Sequence, residues 1–400
     1  AVLVNEWLEM RNHGEASGGE KYLMQLMSDG KFDLDKTLGD YYPEWKNTNK
    51  GNLRFRDMLT HRAGLKAWIP FWMDCIDTVA TLRNASLGSY IAEERWVKNE
   101  IKRTFFQKLI GKKKTYLIDY KESMRKDKKI WLDALHPETI AWKPGIFSPV
   151  QTAEYTVEVT DSLWLRNTYR EFILNQIKES PVKPTQGYVY SDLHYYLYPE
   201  IIKNITGEKW EDYLKKTYRA IGATTLTYNP RKWYSLNRIV PTEVDTLFRK
   251  TLIHGRVHDE GAGLLEGISG HAGLFGNAND LMKLMQMYLQ KGEYGGQRFI
   301  ASDVLAEATK YQFPEEKNRR AIAFDKLDFN PNVTNGPRMA SPESYGHSGF
   351  TGTFTWIDPA SQLVYVFLSN RVYPTRDNGK ISSLNIRTAI GDEIYKAMKK

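Results

Sequence analysis

The stretch that most constrains the fold of this chain runs from residue 345 to residue 368. It contains two runs of aromatic and β-branched residues separated by a turn that includes Pro359, a pattern typical of paired antiparallel strands. His347, Ser348 and Gly349 precede these runs, so two polar side chains and a bare backbone lie where a ligand can approach closely. The alternative is an ordinary glycine-rich turn with a surface histidine. In both cases the sequence predicts a C-terminal sheet.

The composition indicates a globular protein large enough for two domains or subdomains. The chain has 400 residues, of which 41% are hydrophobic and 26% are charged. No apolar run approaches the roughly 20 residues that a transmembrane helix needs, so we expect no transmembrane segment. The first residues also do not resemble a signal peptide. The single cysteine, Cys75, excludes an internal disulfide and a cysteine-rich zinc site, and it is predicted to pack as a small hydrophobe.

The net charge of +8 is concentrated in residues 98–129, which are rich in Lys and Arg. A local basic block of this kind is typical of a solvated helical face or a flexible insertion. It is also compatible with contact to an anionic surface such as cell-wall polymer or lipid headgroups. No known nucleic-acid-binding motif is present, so we expect no nucleic-acid partner.

The spacing of apolar residues predicts several helices and an α+β architecture, with a helix-rich middle followed by a sheet and a last helix. Gly30 is suited to end the first helix, and Asn279 and Asp280 are predicted to cap a later amphipathic one. The predicted helices cover residues 21–27, 54–60, 193–204, the stretch after Gly207, the stretch after Asp280, and 383–398.

Two clusters of polar residues are candidates for chemistry. Tyr190, Ser191 and Asp192 lie where a strand-like segment meets a predicted helix. An exposed tyrosine at such a junction can accept a proton if nearby cations lower its pKa. The alternative is that Ser191 or Asp192 simply caps the helix.

The second cluster is His254 and His258, followed by Asp259 and Glu260. Histidines at i and i+4 on a helix can ligate zinc. Here Gly255 lies between them and no catalytic Glu does, so a metal hydrolase is a remote alternative and we expect no metal site. No organic cofactor is indicated either.

Five short motifs in a fixed order carry a family resemblance. They are Phe-Asp-Leu-Asp at 32–35, Leu-Thr-His-Arg-Ala-Gly-Leu at 59–65, Tyr-Ser-Asp at 190–192, Gly-His-Ala-Gly-Leu-Phe at 270–275 and His-Ser-Gly at 347–349. Together they resemble the serine β-lactamase and penicillin-binding-protein superfamily, in its class C-like branch of esterases and D,D-peptidases. The likeness covers residues 22 to 398 and is strongest to β-lactamase-like proteins of Bacteroidetes.

This resemblance implies a β-lactamase/transpeptidase-like fold, with an antiparallel sheet flanked by helices and a helical subdomain. Residues 1–65 and 262–400 would form the sheet subdomain, in which the family's N-terminal strands are expected to be missing. Residues 66–261 would form the helical subdomain, with the basic segment 98–129 as an insertion.

The resemblance also implies nucleophilic catalysis through an acyl-enzyme. Tyr190 would relay the proton, with Asp192 beside it, and His347 would position and polarise the substrate. Ser348 and Gly349 would line the substrate from the strand. The backbone N–H of Phe350 would supply half of an oxyanion hole.

The family's Ser-x-x-Lys nucleophile motif has no convincing counterpart in this chain. It is expected near Asn12, where neither residue is in place, and Ser17 with Lys21 is one residue too widely spaced. True Ser-x-x-Lys matches at Ser123 and Ser180 are out of order in the chain.

Two further departures bear on the substrate. Asp192 stands where many relatives have Asn, and its carboxylate would repel the carboxylate of a β-lactam. His347 replaces a Lys and so removes a permanent cation. Both changes favour an esterase or a D-amino-acid peptidase over a β-lactamase.

The sequence therefore predicts a serine hydrolase acting on a small-molecule or peptidoglycan-like ester or amide. By resemblance it would be periplasmic or secreted, and we expect a monomer. The alternative is an inactive homologue, or an N-terminally truncated fragment, that only binds cell-wall fragments.

Overall fold

The computed structural model describes residues 8–10, 19–86, 135–184 and 187–399. The tentative pair of Ser17 and Lys21 and the basic segment 98–129 lie outside this description, apart from the helical backbone at Lys21. The chain divides into two compact units. One contains 1–68, 174–243 and 253–400, and the other contains 69–173 and 244–252. The predicted subdomain boundaries stay a prediction.

The helices agree with the predicted pattern. The α-helices are Gly19–Ser28, Leu38–Tyr41, Phe55–Leu59, Thr78–Asn84, Tyr169–Glu179, Tyr198–Thr206, Trp210–Ala220, Glu260–Gly263, Ala278–Leu289, Ser302–Thr309, Lys380–Ser383 and Ile386–Met398. Short 3-10 helices are Pro43–Trp45, Phe71–Cys75, Leu193–Leu197, Pro230–Lys232, Leu236–Arg238 and Pro314–Glu316. No helix of the described residues combines the length and the apolarity that a membrane crossing requires.

Local chemistry explains where these helices begin and end. Gly30 follows the first helix with φ of +66°, as predicted for the residue that ends it. The cap of the Ala278–Leu289 helix is Asn277 and not Asn279 or Asp280, because the Asn277 side chain accepts the N–H of Asp280. Asp280 instead lies in the first turn, where its negative charge favours the helix dipole.

The strands form small antiparallel sheets. The strands are Leu8–Met10, Phe147–Ser148, Tyr155–Thr160, Leu163–Arg166, Thr227–Tyr228, Pro241–Asp245, Thr251–His254, Leu274–Gly276, Glu293–Tyr294, Gln297–Arg298, Tyr345–Ser348, Phe354–Asp358 and Leu363–Phe367. Within the first unit, the short N-terminal strand Leu8–Met10 pairs with Leu274–Gly276, which also pairs with Thr227–Tyr228. With the helices, these sheets make the chain α+β, as predicted.

The second unit has a three-stranded sheet of its own, in the order Phe147–Ser148, Leu163–Arg166 and Tyr155–Thr160. Cys75 is buried in this unit and lies 3.1 Å from the hydroxyl of Tyr169. Burial raises the pKa of Cys75 to about 12, so the thiol stays neutral and serves as packing.

The predicted C-terminal hairpin is the sheet that carries His347. Its strand order is Tyr345–Ser348, Phe354–Asp358 and Leu363–Phe367, and His347 pairs with Thr355. Phe354, Trp356 and Tyr365 form a buried aromatic cluster that includes Ile394 of the last helix. Packing of that helix therefore fixes the strand on which His347 stands.

Gly346 is required by this sheet, because a Cβ at this position would overlap the carbonyl oxygen of Thr355 and the ring of Trp356. We expect Gly346→Ala to lower the free energy of unfolding by about 1–3 kcal/mol, the usual cost of overpacking. Gly379→Ala is the matched control, since nothing lies within 4 Å of a Cβ there. Urea denaturation measures both, and equal effects would contradict this account of Gly346.

Candidate active site

Tyr190 and His347 lie side by side, although they are far apart in the sequence. Their ring centroids are 6.5 Å apart, and both belong to the first compact unit. The segment that carries Tyr190 is irregular and not the strand predicted around Tyr188. Two motifs distant in the sequence are thus brought to one place.

His61 holds the Tyr190 segment in position. It follows the Phe55–Leu59 helix with a left-handed φ of 58°, and its carbonyl accepts the N–H of Val189. Its Nδ1 accepts the N–H of Ser191, at 3.3 Å. The His61 and Tyr190 ring centroids are 4.2 Å apart. His61 belongs to the motif at 59–65, but no pattern of residues around it indicates this role.

The imidazole of His61 is neutral. Because Nδ1 accepts a hydrogen bond, the ring proton lies on Nε2. Burial and the charge of Arg320 hold the pKa of His61 well below its ordinary value. Nε2 has no hydrogen-bond partner among the described residues, so its N–H is a buried donor that no described residue accepts.

The hydroxyl of Tyr190 is buried, whereas the sequence analysis expected an exposed phenol with a lowered pKa. Burial and then the negative charge of Asp192 raise the pKa of Tyr190 well above its ordinary value. Arg320 acts in the opposite direction but is outweighed. Tyr190 is therefore a neutral phenol, which can both donate and accept a hydrogen bond.

Asp192 precedes the Leu193–Leu197 helix but makes no side-chain cap. Ser191 has that role, because its Oγ accepts the N–H of Leu193 at 3.2 Å. His194, one residue further, is neutral as well, since burial lowers its pKa to about 3. Asp192 thus stands at the N-cap position without a side-chain cap bond, and its charge lies next to Tyr190 and His194.

The permanent cation of the site is Arg320, which sequence reasoning missed. Its Nη1 lies 2.9 Å from Nε2 of His347 and 2.9 Å from Oδ1 of Asp325. A guanidinium can only donate, so Nε2 of His347 accepts and the ring proton is on Nδ1, facing the Ser348 carbonyl at 3.0 Å. The positive charge beside His347 thus comes from Arg320, which is itself paired with Asp325.

Asp325 connects this cation to the strand. Its backbone exchanges hydrogen bonds with Gly346 at 2.8 and 2.9 Å, beside His347. Burial alone would raise the pKa of Asp325, but Arg320, His347 and Arg319 together lower it well below its ordinary value. Nε and Nη2 of Arg320 have no hydrogen-bond partner among the described residues.

An open pocket of about 400 Å³ lies beside these residues. It is lined by Tyr188 and Arg319, and the Arg319 guanidinium lies 5.8 Å from the centre of the Tyr188 ring. Arg319 also pairs with Asp325 and Asp328. Tyr188, two residues before Tyr190, thus lies at the wall of this pocket.

The turn after His347 is held by arginines. Nε of Arg371 donates to the Phe350 carbonyl at 2.6 Å, and its guanidinium carbon lies 4.2 Å from the centre of the Phe350 ring, a cation–π contact. Nη1 of Arg387 lies 3.2 Å from the carbonyl oxygens of Gly349 and Thr353. The carbonyl and N–H of a trans peptide point in opposite directions, so fixing the Gly349 carbonyl also fixes the direction of the Phe350 N–H. The oxyanion-hole role of Phe350 stays a prediction.

The histidines offered as zinc ligands are arranged differently from the predicted helical pair. His254 ends the Thr251–His254 strand, and its Nε2 faces the Ile239 carbonyl at 2.5 Å. Nε2 of His258 lies 2.9 Å from Glu243, which also binds Arg376. Among the residues that the structure describes, no cluster of three or more His, Cys, Asp or Glu side chains could hold a metal.

A Ser-His-Asp arrangement elsewhere in the first unit is buried and structural. Oγ of Ser269 lies 2.8 Å from Nδ1 of His271, whose Nε2 lies 3.0 Å from Asp259. Ser269 is 0% exposed and His271 is 1% exposed, and the Tyr196 ring stacks on His271. No substrate reaches this serine, so we assign it no catalytic role.

Ser269→Ala is expected to lower the free energy of unfolding by about 1–3 kcal/mol, because it leaves the buried Nδ1 of His271 without its donor. Ser382→Ala, at an exposed position, should change it by less than about 0.5 kcal/mol. Thermal or urea denaturation provides the measurement. Covalent labelling by a serine-directed reagent should be unchanged in both variants, and its loss in Ser269→Ala alone would show that Ser269 reacts.

Known proteins are similar to this chain in sequence and in fold. A family model described as Beta-lactamase matches residues 22–94 and 149–387. A relative in Escherichia coli O157:H7, provisionally named a D-alanyl-D-alanine carboxypeptidase, is 32% identical over 253 residues, covering 56% of this chain and 57% of the relative. A Salmonella typhi relative with the same provisional name is 34% identical over 227 residues, covering 52% of this chain and 51% of the relative. The chain thus spans little more than half the length of these curated relatives.

Two solved structures share the fold. A penicillin-binding protein homologue from Caulobacter crescentus superposes with a TM-score of 0.53 at 15% identity, covering 92% of this chain and 78% of that one. A penicillin-binding protein from Bacillus halodurans gives a TM-score of 0.51 at 11% identity, covering 92% and 82%. At these identities the likeness concerns the fold alone.

Proposed function

The chain belongs to the β-lactamase family, and from this premise we propose that it is a serine hydrolase that cleaves an ester or an amide through an acyl-enzyme. The observation that carries the proposal is the position of Tyr190 beside His347, with Arg320 bound to the imidazole. Packing alone does not require a phenol, an imidazole and a buried cation from three separate segments of the chain to lie together.

In the proposed reaction a serine hydroxyl attacks the substrate carbonyl, and Tyr190 passes the proton. Because its phenol is neutral, Tyr190 would accept the proton of the nucleophile on its oxygen while donating its own proton to the leaving group. Arg320 would act through His347 as a fixed positive charge near the oxyanion. Ser348, Gly349 and the N–H of Phe350 would line the carbonyl, and one such donor is worth roughly 3–4 kcal/mol in the transition state.

We propose a D-amino-acid peptide or a related small ester as the substrate. The provisional carboxypeptidase name of the Escherichia coli and Salmonella typhi relatives supports a peptidoglycan-like substrate. Asp192 beside the phenol disfavours a β-lactam, whose own carboxylate it would repel. A periplasmic or secreted location and a monomeric state complete the proposal.

The test is the mass of the intact protein after incubation with a fluorophosphonate and, separately, with labelled penicillin. The proposal expects one adduct per chain with at least one of these reagents, on a serine that peptide mapping identifies. Heat-denatured protein is the control for nonspecific labelling. An unmodified mass with both reagents would refute the acyl-enzyme.

A binding protein for cell-wall fragments is the second candidate. It is favoured by one observation, the lack of a Ser-x-x-Lys motif at its expected place in the order of motifs. Calorimetric titration with muropeptides separates the two functions. Saturable binding without an adduct and without turnover would favour the binding protein.

A further inference from the structure

A large cavity of the first unit lies outside the candidate active site. It has a volume of about 800 Å³, within the range of small-molecule sites. Its floor is made of buried side chains, namely Tyr288, Leu289, Leu305, Lys326 and Tyr345. Its rim is exposed and polar and includes Lys291, Asp303, Lys310, Glu343 and Gln362. We call it the Lys326 pocket.

Lys326 is a buried cation in this pocket, near the charges of Glu343 and Asp358 but not bonded to either side chain. It is 3% exposed, and Nζ donates to the carbonyl oxygens of Glu343 and Ser344, both at 3.1 Å. Nζ also lies 4.9 Å from the centre of the Tyr311 ring. Within the described part of the chain, no carboxylate forms an ion pair with it. An ammonium has three protons, so two carbonyls leave one proton for a ligand.

Other buried cations of the first unit have an ion pair or a third hydrogen-bond acceptor, and Lys326 has neither in the part of the chain that the structure describes. Arg320 pairs with Asp325, and Arg62 pairs with Asp57 and Glu316. Lys50 is 2% exposed and donates to three acceptors, the Asn49 side chain and the carbonyls of Lys178 and Ser180. Buried charges are normally paired or fully hydrogen-bonded. Lys326 differs in lining a cavity with two hydrogen bonds and no ion pair to a described residue, beside the rings of Tyr311 and Tyr345.

We propose that the Lys326 pocket binds a small organic carboxylate. The carboxylate would accept the third proton of the Lys326 ammonium, and the apolar body would pack on Leu305 and Tyr345. A neutral ligand of the same shape would gain the packing but not the ion pair. This inference is independent of the proposed hydrolase activity.

The charge of Lys326 makes the proposed binding depend on pH. Burial lowers the pKa of Lys326 to about 8, while the charges of Glu343 and Asp358 act in the opposite direction. The phenols that face Nζ, Tyr311 and Tyr345, have raised pKa values and stay neutral near pH 8. The affinity for a carboxylate should therefore be steady between about pH 6 and 7, where both groups are ionised, and fall as the pH rises through about 8 and the ammonium loses its proton.

The experiment is calorimetric titration of the whole chain at pH 7 with sodium benzoate and with benzyl alcohol, its neutral analogue. We expect benzoate to bind at least about tenfold more tightly than benzyl alcohol, the scale of one charge-assisted hydrogen bond. Lys326→Met should remove this preference. Lys50→Met is the matched control, a buried lysine with all its acceptors, and should retain it.

A second variant covers the case in which Lys326→Met does not fold. Ala306 is exposed on the Ser302–Thr309 helix and lines the pocket, so Ala306→Trp would place an indole in the pocket while leaving Lys326 and the core residues unsubstituted. It should weaken benzoate binding at least about tenfold. Any one of three results would overturn the proposal. They are equal affinity for the two probes, no binding of benzoate, and benzoate binding that Ala306→Trp leaves unchanged.

Discussion

Replacing Asp325 by alanine is expected to lower the free energy of unfolding by about 3–5 kcal/mol, the cost of removing one partner of a buried ion pair. Asp325 accepts from Arg320, which is 0% exposed, and from Arg319. Without the carboxylate, two adjacent guanidinium groups remain, and one of them is wholly buried. Urea denaturation at pH 7 measures the change.

The same variant carries a prediction about pH. The folded-state pKa of Asp325 lies below its ordinary value of about 3.9, so its stabilisation is complete above that value. It is lost as the pH falls from about 4 toward the folded-state pKa. The difference in stability between the parent chain and Asp325→Ala should therefore be constant from pH 5 to 7 and shrink below pH 4.

Asp328→Ala is the matched control, because it removes the other carboxylate that binds Arg319 at a partly exposed position. Its expected cost is about 1 kcal/mol or less, the usual value for such pairs. Equal losses of the free energy of unfolding in the two variants would show that the buried pair of Asp325 and Arg320 does not stabilise this cluster.

The elements that sequence reasoning found correctly are those whose signal is local. The hairpin from Tyr345 to Leu368 follows from aromatic and β-branched residues around one turn, and Gly30 ends a helix because it adopts a positive φ. The misplaced cap has a local cause as well. Asn277 and Asn279 are the same residue type two positions apart, and only the backbone decides which one accepts the helix N–H.

The geometry of the candidate site could not be predicted from local sequence patterns. The meeting of Tyr190 and His347 followed from a family resemblance and not from periodicity. Arg320 follows another arginine, and such a pair in a sequence is typical of solvent-exposed charge. Only the fold buries it between His347 and Asp325. The protonation of Tyr190 depends on burial in the same way, so the sequence alone could not indicate it.

Tyr190→Phe tests the proposed mechanism and is expected to reduce turnover of a chromogenic ester by at least about 100-fold, the scale of a lost proton-transfer group. The variant keeps the ring that packs on His61 and removes only the oxygen, so its stability should stay close to that of the parent chain. Tyr188→Phe removes a hydroxyl two residues away, beside Arg319, and should leave turnover nearly unchanged. Since the raised pKa keeps Tyr190 neutral, activity should not decline through ionisation of this phenol below about pH 10. Parental turnover in Tyr190→Phe would remove this phenol from the mechanism, even if the serine adduct still formed.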